Sequence, residues 1–192
     1  MPRSLPRFFV LLVFGPLLAG AQEPSRPGLA RRIDSMWAAA RGPEAPPRLA
    51  ALSTHQARHA ALRGLLDREG YPGLREVGPD ACEHFWNLLQ AADGDPALQR
   101  RALGLLKEQV ARQNAPARHL AWLQDRVLVN GGQPQWYGTQ VRLNADSTSF
   151  EPRPVEDPAQ LDNRRAALGL GPISEYIELM NRRYAEYLKP KA

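Results

Sequence analysis

Cysteine is almost absent from this 192-residue chain, in which Cys82 is the only one. A single cysteine cannot form an internal disulfide, so the fold must depend on a packed core even if the protein is exported. No neighbouring pattern would activate this thiol as a nucleophile, which is the alternative role. We therefore interpret Cys82 as a small buried residue near the start of a helix.

Long apolar runs are also scarce, and the only one lies at the N terminus. Residues 8–18 are almost entirely apolar, but a helix needs about 20 such residues to cross a bilayer. Two arginines precede the run, and Ala19-Gly20-Ala21 supplies the small residues that signal peptidase reads. The pattern predicts that residues 1–21 are a signal peptide, cleaved before Gln22, and that the protein is exported to the periplasm or beyond. An uncleaved anchor or a buried first helix is the alternative interpretation.

The chain carries little net charge. Its formal charge is +5 at pH 7, and the signal peptide contains two arginines and no acid, so a mature chain of about 171 residues carries about +3. Because basic and acidic residues are interleaved, we predict no nucleic-acid partner. No later apolar run is long enough to span a membrane, so we predict no membrane association after cleavage.

Several well-known chemical motifs are missing. The chain has no glycine-rich phosphate loop, no serine nucleophile elbow and no paired cysteines for a metal. His55 and His59 have the spacing of two metal ligands on one helix face, but Gln56 stands where a zinc peptidase carries its general base. We interpret both as exposed helix histidines, and His84 and His119 as helix surface or boundary residues. The sequence therefore predicts neither a metal nor a cofactor.

Helical periodicity dominates the first two thirds of the chain. Apolar residues recur three and four positions apart in five segments, which prolines and glycines separate. A flexible leader over residues 22–28 precedes a single helical domain over residues 29–192. The predicted helices run from Leu29 to about Arg41, from Ser53 or Thr54 to Gly70, from Pro79 past Leu89, from Asp95-Pro96 to Val110, and from Pro116 to about Asn130.

The period changes after Gly132. Residues 135–143 alternate in a pattern typical of a strand, and residues 148–153 can return as its partner. Two more helices are predicted at residues 161–168 and from Pro172 to about Leu188. The predicted fold is mainly α: a single helical domain of about six to seven helices, with one small β-hairpin inserted before the last two.

Neutral hydrogen-bonding side chains crowd the segment GQPQWYGTQ, residues 132–140. On a strand, Gln135, Tyr137 and Thr139 would face one way and Gln140 the other. A buried amide without partners costs about 1–3 kcal/mol, so these groups must be satisfied. They either fasten the hairpin to helix ends or line a polar pocket.

Such a pocket would include Gln90, Asp93 and an arginine. Neutral donors and acceptors beside an aromatic ring suit a sugar or a peptide, because the ring covers an apolar face while the amides read polar groups. For an exported protein, a cell-wall fragment is the natural small polar ligand.

Charged residues interrupt two apolar helical segments. Asp125 and Arg126 are adjacent and diverge by about 100° on a helix, so they cannot point at one target. We predict that Asp125 pairs with Arg164 or Arg165 and thereby joins the fifth helix to the segment after the hairpin. In the alternative, an arginine binds an anionic ligand through its planar fork.

These blocks resemble a family of bacterial proteins, often exported, known only as a domain of unknown function. The resemblance covers roughly residues 53–176. It rests on Gly70-Tyr71-Pro72, Val77-Gly78, residues 86–99, Asp125-Arg126, residues 135–140, Glu156-Asp157-Pro158, Asp162 with Arg164-Arg165, and residues 169–176. It implies one helical domain and carries no established activity. The family pattern reads Q-H-A-D at the end of the third helix, but Ala91 replaces that histidine here, and histidine is the residue best suited to proton transfer near neutral pH.

The sequence therefore predicts an exported, non-catalytic binding or structural domain. The candidate ligand-binding residues are Gln90, Arg126, Gln135, Tyr137, Thr139, Gln140, Arg164 and Arg165. The alternative is a periplasmic hydrolase or transferase acting on a glycan or peptide, with Asp93 or Asp125 as general base.

Overall fold

The computed structural model describes residues 23–41 and 55–188, and this part of the chain is mainly helical. Its elements are α1 (Pro27–Arg41), α2 (His55–Glu69), α3 (Leu74–Gln90), α4 (Pro96–Ala111), α5 (Ala117–Asn130), β1 (Val141–Leu143), β2 (Phe150–Pro152), α6 (Leu161–Ala167) and α7 (Ile173–Tyr187). The predicted mainly α fold, with one hairpin before the last two helices, is confirmed. The signal peptide and the Ser53 and Thr54 caps lie outside the described residues.

Local sequence signals set several helix ends. Asp95 accepts a hydrogen bond from the Leu98 N–H at 3.1 Å and so caps α4, while Pro96 occupies its first turn. Gly169, with φ of +69°, follows α6 in a conformation that favours glycine. These are the positions at which the sequence predicted the helix boundaries.

Two helices begin earlier than predicted. α1 begins at Pro27, and the backbone N–H of Arg26 just before it donates to the Glu76 carbonyl at 2.8 Å. α3 begins at Leu74 instead of Pro79, because a helical turn precedes a kink at Gly78, where φ is +79°. The glycine permits the kink, and the helix continues through the proline that follows it.

A shared apolar core joins α1 to α5. Its fully buried members include Ile33, Leu65, Phe85, Leu89 and Leu106. Each large side chain of this kind contributes about 1.5–3 kcal/mol when it leaves water.

Cys82 lies fully buried in the same core, where burial raises the pKa of its thiol to about 12. A thiol with so high a pKa is not ionised near neutral pH, so its environment supports the structural role and not the nucleophilic one.

Helix α5 positions the candidate site because its sides meet different partners. Successive residues diverge by about 100°, so Arg126 faces Asp93 in the α3–α4 connection, while Asp125 faces the segment that precedes the hairpin. One turn earlier on the helix, Trp122 packs edge-to-face with Tyr176 of α7 at 5.7 Å between ring centroids.

The hairpin is shorter than predicted. β1 and β2 pair antiparallel, with Val141 opposite Pro152 and Leu143 opposite Phe150. Residues 136–140 are not a strand, and Gln135 makes only an isolated bridge with Val155. The alternation of residues 135–143 predicted the strand correctly only over residues 141–143, because residues 136–140 include Gly138 with a φ of +68° and give their N–H groups to a side chain instead of a neighbouring strand.

Candidate functional site

The Asp125 carboxylate lies fully buried beneath residues 135–140, which we call the clasped loop. It accepts hydrogen bonds from the backbone N–H groups of Trp136 at 2.8 Å, Tyr137 at 3.0 Å and Thr139 at 2.9 Å. The Thr139 hydroxyl donates a fourth bond at 2.8 Å. Burial raises the pKa of Asp125, although these donors oppose the rise. The carboxylate thus replaces the strand partner that these N–H groups lack.

No arginine pairs with Asp125 in the part of the chain that the structure describes, so the predicted ion pair is wrong. Arg164 and Arg165 bind carbonyl oxygens instead. Arg164 Nε donates to Trp136 O at 2.8 Å, and Arg165 Nη1 donates to Tyr137 O at 2.6 Å. The prediction failed because backbone groups can satisfy buried charged side chains as well as opposite charges can.

Both arginines also hold the segments around α6. Arg164 Nη2 donates to the carbonyls of Glu156 and Asp157, the latter at 3.1 Å, and Arg165 Nε donates to Gly171 O at 2.7 Å. The clasped loop is therefore bound to α5 through its N–H groups and to α6 through its carbonyl groups.

The side chain of Gln135, at the start of the clasped loop, binds the main chain of Gln140 at its end. Its amide is fully buried, donating to Gln140 O at 2.8 Å and to Arg153 O at 2.9 Å, and its carbonyl accepts from Gln140 N at 2.8 Å. From α7, the Tyr176 hydroxyl donates to Thr139 O at 3.0 Å. These contacts make Gln135 and Thr139 fasteners of the loop.

Gln140 and Tyr137 are only half-buried, and their side chains hold little of the structure. The Gln140 amide makes a single bond, to Thr139 Oγ1 at 3.2 Å. Burial raises the pKa of the Tyr137 hydroxyl, which has no hydrogen-bond partner among the described residues. Of the loop residues named from the sequence, these two have side chains that remain free for a ligand.

Trp136 is the functional candidate that the sequence reasoning left out. Its ring is 45% exposed, and the guanidinium carbon of Arg164 lies 5.9 Å from the ring centroid. The ring forms one wall of a cleft between α4 and α5, which we call the Trp136 groove. The other residues that line it include Leu103, Lys107, Leu120, Gln124, Leu128 and Tyr137. The signal available in the sequence was a tryptophan among the neutral polar residues of the segment 132–140.

Two other predicted residues, Asp93 and Arg126, form a second cluster on a different side of α5. Asp93 receives a two-pronged contact from Arg126, with Nε at 2.7 Å and Nη2 at 2.6 Å from its oxygens. The hydrogen bond from Arg126, helped by Asn130 and Gln99, lowers the pKa of Asp93 to about 2. The buried Nε2 atom of Gln90 lacks a partner among the described residues. No hydrogen bond of this cluster reaches the clasped loop, so the single predicted pocket is divided into two sites.

Two histidines, His59 and His119, are more buried than predicted. His119 is fully buried, stacks on Trp86 at 4.4 Å and places Nε2 2.8 Å from a Glu83 oxygen. His59 is largely buried as well, and burial lowers its pKa; only His55 of that pair is exposed. Within residues 23–41 and 55–188, no group of three His, Cys, Asp or Glu residues could hold a metal ion.

Comparison with known families places this geometry in context. The model of a family of unknown function, DUF6624, matches residues 73–189. The chain belongs to the DUF6624 family. The match supports the resemblance to an uncharacterised domain family and covers α3 to α7, so it includes Asp125, the clasped loop and both arginines of α6. No curated protein and no solved structure matches the chain. Among the helices that the structure describes, none is long and apolar enough to cross a membrane.

Proposed function

We propose that this DUF6624 protein is exported and acts as a non-catalytic binding domain, with the Trp136 groove as the binding site for a sugar ring of a cell-wall fragment. The observation that carries the proposal is an exposed tryptophan held on a rigid loop beside free polar groups. A half-exposed indole can cover the apolar face of a sugar ring, while donors and acceptors at the rim bind its hydroxyls.

Several polar groups at the rim of the groove are available to bind a ligand. Lys107 Nζ, the Gln124 amide, Trp136 Nε1 and Tyr137 Oη have no hydrogen-bond partners among the described residues. The floor is apolar and includes Leu103, Leu120 and Leu128. This combination of an apolar floor and unsatisfied polar groups is typical of small-molecule sites.

The contacts of the clasped loop favour binding. Trp136 is fixed through its own backbone, because its N–H is bonded to Asp125 and its carbonyl to Arg164. The ring is therefore already in position, and no loop has to become ordered when the ligand binds. Such preorganisation removes part of the entropy cost of association.

Neither carboxylate named as a general base has the properties that the role requires. Asp125 is closed to solvent and saturated with donors, so a substrate cannot reach it. Asp93 is 48% exposed, but its low pKa and its two bonds to Arg126 make it a poor proton acceptor. A general base near neutral pH needs both access and a raised pKa.

The binding proposal is tested by titrating the mature protein with chitin oligosaccharides and purified muropeptides while tryptophan fluorescence and heat are recorded. We expect Trp136→Ala to weaken sugar binding at least tenfold and Trp136→Phe to weaken it less. Leu143→Ala is the matched control, because Leu143 is 36% exposed but lies outside the groove. Equal affinity of Trp136→Ala and wild type, or no binding of any glycan, would contradict the proposal.

Export is tested separately. The mass of the intact protein recovered from the periplasm or medium of its native host should correspond to a chain that begins at Gln22. Recovery of the exported protein with Met1 retained would contradict cleavage without affecting the assignment of the groove.

A further inference from the structure

Arg165 is a buried cation without a carboxylate partner. The residue is 2% exposed, and no acidic oxygen lies within 4.0 Å of its guanidinium among the residues described. Its Nε and Nη1 atoms bind backbone carbonyls, and its guanidinium carbon lies 5.5 Å from the centroid of the Tyr176 ring. The third nitrogen, Nη2, has no hydrogen-bond partner in the described part of the chain. Two carbonyls and the more distant charges of Asp162 and Asp125 offset part of the cost of burying this cation, but none of them binds Nη2, and a buried donor without an acceptor is costly.

Arg165 lines an open cleft between α5 and the α6–α7 segment, and this cleft shares no lining residue with the Trp136 groove. Trp122 and Tyr176 supply aromatic walls, and Leu170 and Leu179 supply aliphatic ones. A second arginine, Arg182, is exposed at the rim. The cleft thus combines a positive, hydrogen-bonding floor with apolar walls.

One acidic residue, Glu175, limits which anions can enter. Its carboxylate also lines the cleft, and it forms no ion pair with either arginine within 4.0 Å. The charged residues that line the cleft are two arginines and Glu175, which together leave one net positive charge, and this balance matches an anion with a single negative charge. Because Nε and Nη1 already bind carbonyls, Nη2 can donate one charge-assisted hydrogen bond to a carboxylate oxygen.

We propose that this cleft binds one carboxylate group that carries an apolar substituent, with the carboxylate on Arg165 Nη2 and the substituent between Trp122 and Leu179. Two sources share this chemistry: the C-terminal residue of a peptide and a free aliphatic acid. The site is independent of the Trp136 groove, since it uses a different set of side chains.

The test uses the mature full-length protein and three probes: N-acetyl-Ala-Leu with a free carboxylate, the same dipeptide as its C-terminal amide, and 4-methylpentanoate. Binding is followed by calorimetry and by ¹H–¹⁵N NMR of the tryptophan side chains. We expect the free-carboxylate peptide to bind at least tenfold more tightly than the amide. The aliphatic acid reports the source: affinity equal to that of the peptide points to a free acid, and much weaker affinity points to a peptide C terminus.

The variants avoid Arg165 itself, because its backbone contacts support the fold. Glu175→Gln removes the rim charge and should tighten binding of the free carboxylate several-fold. Leu179→Glu adds a negative charge inside the cleft and should abolish binding with little change in the melting temperature. Glu186→Gln is the matched control, because Glu186 is exposed on the same helix, lies outside the cleft and forms no ion pair with the described residues, so this change should leave the affinity unchanged. Equal binding of acid and amide, or no binding of any probe at millimolar concentration, would overturn the proposal, whereas Trp136→Ala should leave this binding intact.

Discussion

Asp125 and Arg165 hold opposite sides of the same residue, Tyr137. Asp125 accepts the Tyr137 N–H at 3.0 Å, and Arg165 donates to the Tyr137 carbonyl at 2.6 Å. The two side chains form no hydrogen bond with each other, and each binds a main-chain group of the same loop residue. This arrangement ties α5 to α6 by way of a segment that has no regular secondary structure of its own.

Asp125→Asn should lower the free energy of unfolding by about 3 kcal/mol, because an amide replaces one acceptor oxygen with a donor that faces other donors. The melting temperature should fall by roughly 6–12 °C. Chemical denaturation and calorimetry measure both quantities. Asp146→Asn is the control, since Asp146 lies exposed in the hairpin turn, and this change should stay within about 0.5 kcal/mol. Equal effects of the two substitutions would refute the role assigned to Asp125.

Gln135→Ala and Gln140→Ala should differ sharply although both remove the same side chain. Gln135 makes three bonds from a fully buried position, so its loss should reduce the free energy of unfolding by about 3 kcal/mol. Gln140 makes one long bond from a half-buried position, so its loss should cost less than about 1 kcal/mol. Urea denaturation of the two variants checks this, and a larger loss for Gln140→Ala would reverse the assignment of fastener and free side chain.

Gly138→Ala should be more harmful than Gly132→Ala. Both glycines have positive φ, of +68° and +73°, so each substitution carries a backbone penalty of about 1–2 kcal/mol. At Gly138, a new Cβ would also lie 2.8 Å from Ile173 Cδ1 in α7, whereas at Gly132 nothing lies within 4 Å. The difference in unfolding free energy between the variants isolates the close approach of the Ile173 side chain, and no difference would mean that this side chain moves aside without cost.

Asp93→Asn should remove a pH-dependent part of the stability. The hydrogen bond from Arg126 lowers the pKa of Asp93 to about 2 in the folded state. The resulting stabilisation is fully present above the ordinary Asp pKa of about 3.9, and it is lost as the pH falls through about 2. Because Asp93 is about half exposed, the effect should be no more than about 1 kcal/mol. Urea unfolding of wild type and variant should show a gap at neutral pH that narrows below about pH 4. A gap independent of pH would argue against the Asp93–Arg126 interaction.

The helices could be predicted because their signals are local. Asp95-Pro96 begins α4 and Pro116 precedes α5, and in each case the residue that sets the boundary lies at the boundary itself. Gly78 shows where prediction of helix ends from local residues fails. Its positive φ lets a helical turn precede Pro79, and only the packed structure reveals that this turn exists.

The clasped loop could not be predicted because its partners are distant in the sequence. The alternation from Gln135 indicated a strand, but Asp125, ten residues earlier, takes the N–H groups that a strand would offer to a neighbour. The charges of Arg164 and Arg165 indicated an ion pair, yet carbonyl oxygens satisfy them. A sequence shows which side chains need partners and does not show which backbone groups are left to supply them.

Asp125, Arg164 and Arg165 hold the clasped loop almost entirely through its main-chain atoms. Every amino acid carries a main-chain carbonyl, and every one except proline carries an N–H. Trp136 and Tyr137 take part only through their N–H and carbonyl groups. Their side chains can therefore be exchanged without loosening the loop, so evolution or a designed library can alter what this surface recognises while the scaffold stays the same. A designed library at position 136 would therefore change recognition while Asp125 and Arg164 continue to bind the main chain of that residue.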